Sequence, residues 1–90
     1  MTKAAKLGGR WWTISLGTPS TGTWGHCDYN AKRITVEPHA TPEMRLDTLL
    51  HEGLHACLPY LTDDVVERTA TELKDLLIAM DATTHGGHDG

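Results

Sequence analysis

The sequence predicts a small α+β domain, a three-stranded antiparallel sheet followed by two helices. Three observations carry that expectation. Up to Glu37, β-branched and aromatic residues form short runs separated by Gly, Pro, Ser and Asn. From Thr41 the apolar residues recur at helical spacing instead. Finally, 90 residues with 39% apolar letters can close one core but not two.

Residues 1–9 read as a flexible lead-in, and residues 10–82 as one domain. The first strand is Arg10 to Leu16, which is β-branched and aromatic and alternates after Trp12. Gly17 to Gly22 is a loop of Pro, Ser, Thr and Gly. Trp24 to Tyr29 is a second, weaker strand, and Asn30-Ala31-Lys32 turns the chain. Arg33 to Glu37 is the third, with Ile34 and Val36 on one face. The short turn between the second and third strands implies an antiparallel hairpin.

The first helix starts at Thr41-Pro42-Glu43, with Thr as N-cap, Pro at the first helical position and an acid in the first turn. Leu46, Leu49, Leu50, Gly53, Leu54, Cys57 and Leu58 form its broad apolar face, and Pro59 stops it. Thr62 caps a second helix, with Asp63 and Asp64 at its positive end. Its stripe is Val66, Ala70, Leu73, Leu77 and Met80, with Leu76 beside it. Residues 83–90, rich in Gly and His, read as a disordered tail. Trp11, Trp12 and Trp24 could line a peptide groove, but in a chain without Phe they are expected to supply core bulk.

Composition narrows the function classes. Eight Lys and Arg against 12 Asp and Glu give a formal charge of -4, with no basic stripe for nucleic acid. The uncharged stretch from Trp11 to His26 is too short and too polar to span a bilayer, so no membrane partner is expected. Lys3, Lys6 and Arg10 precede no apolar segment of the kind a signal peptide needs, and a cytoplasmic location is expected. Cys27 and Cys57 make no disulfide framework and read as small buried thiols.

The chemistry concentrates in His51-Glu52-Gly53-Leu54-His55, an H-E-x-x-H motif on the first helix. Residues four apart leave a helix on one face about a turn from each other, so both imidazoles can reach one tetrahedral metal. Glu52 lies about 100° round the helix, able to serve as a base towards a metal-bound water. Two ligands and one base follow from the spacing, with a third ligand expected from the next helix.

The motif resembles the active-site helix of the zincin metallopeptidases. The segment after it is similar to the gluzincin branch, in which a Glu on the following helix completes the site. Glu67-Arg68-Thr69-Ala70 reproduces the E-x-x-A pattern of small intracellular members of the ImmA/IrrE type. Short zincin-like proteins with this sheet-helix-helix layout also occur in phage genomes, which would make the location a host-cell cytoplasm. The resemblance spans Trp24 to about Met80. It implies Zn²⁺ bound by His51, His55 and Glu67, water in the fourth position and Glu52 as general base.

Glu67 also suits the role by position, since the reversal at Pro59 to Leu61 sets the second helix beside the last turn of the first. Asp63 and Asp64 are the alternatives, although at the helix start they read more naturally as partners of its dipole. Asp47, one turn before His51, could hydrogen-bond a ligand imidazole or remain solvated. Tyr60, next to the metal helix, could hydrogen-bond a tetrahedral oxyanion but reads more readily as a packing tyrosine. Trp24 to Tyr29 resembles the zincin strand that pairs with extended substrate, with Gly25 and His26 allowing close backbone approach, and reads equally well as an ordinary edge strand. His85 and His88 could chelate metal in the tail but read as solvated.

The leading function is therefore a zinc metallopeptidase-like protein hydrolysing a peptide bond in a peptide or protein substrate. The alternative is a non-catalytic zinc-stabilised binding or structural domain, such as a phage could encode in this layout, whose metal supports a small core. A closed four-ligand site using His26 or His39 would favour that alternative.

Overall fold

The structure, a computed structural model, describes residues 2–19 and 23–87, with side chains through Asp81. Its architecture is α+β: β1 (Thr2–Leu7), β2 (Arg10–Leu16), β3 (Gly25–Asp28) and β4 (Arg33–Val36) precede α1 (Pro42–Cys57) and α2 (Asp63–Gly87). The sheet order is β1-β2-β4-β3. β1 pairs antiparallel with β2, and β3 antiparallel with β4, but β2 and β4 run parallel.

Two expectations are corrected here. The sheet has four strands and is mixed, where three antiparallel strands were expected. The extra strand is β1, formed by residues read as a flexible lead-in. Gly8 and Gly9 both take positive φ, 61° and 80°, which gives a two-residue turn with the handedness a tight hairpin needs. That turn sets Leu7 opposite Arg10 and zips β1 along β2 as far as Thr2 and Ser15. The β3–β4 hairpin forms as expected, but it folds over so that β4, not β3, lies next to β2. Ile14 then sits opposite Ile34 and Leu16 opposite Val36.

This register builds the core. Trp12, Ile34 and Val36 are buried against Ala56 of α1, with Leu7, Ile14 and Cys27 packed around them. Of the three tryptophans only Trp12 is core, with Tyr29 edge-on to it at 6.0 Å between ring centroids. Trp11 and Trp24 are exposed.

Both helix starts are capped as the sequence implies. Thr41 Oγ1 accepts from the Met44 amide at 3.2 Å, and Thr62 Oγ1 from the Val65 amide at 3.4 Å. The α1 end is closed by the Leu58 amide donating to the Leu54 carbonyl at 2.8 Å. Val66 and Ala70 of α2 are buried, whereas Leu76, Leu77, Ile78 and Met80 are exposed. The predicted stripe is thus buried only in its first half. α2 runs antiparallel past α1, meets its first turn where Lys74 pairs with Glu43 (3.6 Å), and continues beyond it. Its backbone stays helical through Gly87, past the expected end near Asp81, and residues 88–90 lie outside the described residues. No helix among the described residues is long and apolar enough to cross a membrane.

Candidate metal centre

α1 presents His51, Glu52 and His55 towards β3 and the start of α2, and all three are half-buried. The two Nε2 atoms stand 3.2 Å apart, with ring centroids at 4.8 Å and planes 69° apart. The i,i+4 spacing thus brings both imidazoles to one point, as the sequence implies. His55 Nε2 also lies 3.4 Å from Asp63 Oδ1, at the first residue of α2. The reversal responsible is short: the Leu61 amide donates to the Leu58 carbonyl at 3.1 Å, and α2 begins two residues later.

Glu52 faces the underside of β3. Burial pushes its carboxyl pKa up; the charges of His51, His55 and His26 pull it back, and Asp63 adds to the rise. The close approach of β3 rests on Gly25. A Cβ there would collide with Thr48 Cγ2 and stand 3.2 Å from both Cγ and Oε2 of Glu52.

An open pocket of about 350 Å³ lies between β3 and the facing helix ends, lined by Cys27, Tyr29, Glu52, His55, Pro59, Leu61 and Asp63. The Tyr29 hydroxyl donates to the His55 carbonyl oxygen at 3.0 Å, tying the end of β3 to the last turn of α1. Burial raises the pKa of this phenol, and the nearby Cys27 and Glu52 charges raise it further. Burial likewise pushes the Cys27 thiol up to about 11, with the Glu52 charge the next cause. Such a thiol stays protonated at neutral pH and is no nucleophile. Both cysteines are free and half-buried.

The remaining sequence candidates are placed elsewhere. Glu67 is exposed on the outer flank of α2, beside Asp64, Arg68, Thr71 and Glu72. Tyr60 is 77% exposed and is not part of the pocket wall. Asp47 Oδ1 is buried without a hydrogen-bond partner, beside Trp24, Met44 and Lys74 rather than a histidine ring. His26 is exposed on β3 near enough for its charge to act on Glu52, whereas His39 borders a separate pocket with Glu37 and Trp24. The side chains of His85 and His88 lie outside the described residues.

Among the described residues no group of three His, Cys, Asp or Glu side chains stands already gathered for a metal ion. What is in place is the imidazole pair and, at one edge of it, Asp63. Sequence reasoning did not find Tyr29 as a wall of the site. Its signal was faint: an amphipathic aromatic at the end of the strand expected to border the motif. No protein-family model, curated protein or solved structure matches the chain.

Proposed function

We propose that the chain is a zinc-dependent metallopeptidase-like protein that hydrolyses a peptide bond. The observation that carries this reading is the 3.2 Å separation of the His51 and His55 Nε2 atoms. Two ligands about 2.0–2.1 Å from a tetrahedral zinc stand about 3.3–3.4 Å apart, so the pair already spans one edge of such a site. An imidazole pair alone could also share a proton through an N–H···N bond. The surroundings favour the metal: the Glu52 carboxylate beside the pair, the exposed Asp63 carboxylate 3.4 Å from His55, and open space above them.

His51 and His55 would hold a zinc ion there, and such an ion would supply Lewis acidity, polarising a carbonyl and lowering the pKa of a water molecule towards about 7. Glu52 takes a proton at its carboxylate and returns it to the leaving amine. Among the described residues β3 is an edge strand of the sheet, so its outer edge can pair with an extended peptide lying over Glu52. Two free thiols fit a reducing, cytoplasmic setting, the host's if the chain is phage-encoded.

Zinc analysis with peptide-library cleavage tests the reading, comparing the parent chain with Glu52→Gln. Both proteins should carry one zinc, and the variant should cleave at least about 100-fold more slowly, the usual loss with a general base. Equal cleavage by both would remove Glu52 as the base. Bound zinc with no cleavage by the parent would favour the non-catalytic, zinc-stabilised domain. A parent chain that binds no zinc would end the proposal.

A further inference from the structure

We infer that the third protein ligand of the metal is Asp63, and that Glu67 stands outside the ligand set. The inference rests on the metal reading above and deepens it.

Three ligands of a tetrahedral zinc define a triangle with edges of about 3.3–3.4 Å. Two such edges are present and share one atom: His51 Nε2 to His55 Nε2 is 3.2 Å, and His55 Nε2 to Asp63 Oδ1 is 3.4 Å. The Asp63 side chain is 89% exposed, and no lysine or arginine among the described residues pairs with it. The Asp63 carboxylate is therefore not held by a competing cation, and binding a metal would break no ion pair to a lysine or arginine. Its backbone is well placed for this. Capped by Thr62, it opens α2 directly after the reversal that sets this turn beside the last turn of α1.

Glu67 has none of these relations. One turn farther along α2 it is rotated by about 40° from Asp63 and borders a surface formed entirely by α2 residues. Asp64, about 100° round the helix, shares the Glu67 surface and serves as a matched control for helix-dipole effects.

Zn²⁺ affinity by chelator competition and the visible spectrum of the Co²⁺-loaded chain test the assignment without reference to activity. They are compared for the parent, Asp63→Asn, Asp64→Asn and Glu67→Gln, with circular dichroism confirming that each is folded. Asp63→Asn should weaken Zn²⁺ binding at least about tenfold and change the Co²⁺ absorption. Asp64→Asn and Glu67→Gln should match the parent in both. Loss with Glu67→Gln and retention with Asp63→Asn would overturn the inference while leaving the metal reading standing. Equal losses in Asp63→Asn and Asp64→Asn would overturn it too, by showing a general charge effect. A parent that binds neither ion would remove the reading and the inference together.

Discussion

Gly25 shows how much a single missing side chain can position. Thr48 is nearly buried and β-branched, so its Cγ2 cannot swing aside to admit a Cβ from β3. The strand cannot lift freely either, because Gly25 is paired with Val36 and the Glu37 amide donates to the Trp24 carbonyl at 2.9 Å. Gly25→Ala should therefore cost about 1–3 kcal/mol of stability, the range for overpacking. Urea denaturation would measure it. Adding Thr48→Ser, which deletes Cγ2, should return a large part of the loss. A Gly25→Ala chain as stable as the parent would show that β3 does not need this approach. The same packing holds Glu52 in its half-buried state, which links strand geometry to the raised pKa of its carboxyl.

At the scale of elements, the hairpin that opens the chain depends on its turn. Gly9 has φ of +80° with open space where a Cβ would stand, so substitution meets only backbone strain. Gly9→Ala should destabilise the chain by about 1–2 kcal/mol, the cost of left-handed backbone for a residue with a Cβ. Hydrogen exchange should localise the loss, with the amides of β1 exchanging faster than those of β4. Unchanged protection across β1 would contradict a hairpin held by its glycines. This strand also marks where the sequence ceases to be legible. Thr-Lys-Ala-Ala-Lys-Leu has one β-branched residue and no clean alternation, and its pairing comes from the turn and from β2. The parallel contact of β2 with β4 is a long-range choice that no local pattern reports. By contrast, Thr41, Pro42 and the His51–His55 spacing act within a few residues of themselves, and these were readable. The choice between Asp63 and Glu67 fell between the two cases. They stand one helical turn apart, and the length of the reversal after Leu58 sets Asp63, not Glu67, beside His55.

For the molecule as a whole, the question is what keeps so small a core closed. Its fully buried large side chains are Ile34, Val36 and Val66, and extents of 48 × 27 × 24 Å reflect a second helix reaching past the sheet. α2 touches the rest of the fold mainly through α1, and Asp63 is its first residue. A metal held by His51, His55 and Asp63 would thus clamp α2 to α1 at the end where they turn. Because an unfolded chain offers no such geometry, binding adds stability by mass action, about 2.7 kcal/mol when free zinc is 100 times Kd. For a domain of this size that amounts to about 10–20 °C in Tm. Thermal melts with zinc, with chelator, and with zinc restored should show that drop and its recovery. Glu52→Gln should follow the parent through the cycle, whereas Asp63→Asn should respond far less to zinc. Superimposable parent melts in zinc and in chelator would mean that α2 is held by Val66 and Ala70 alone, and that no metal ties the two helices.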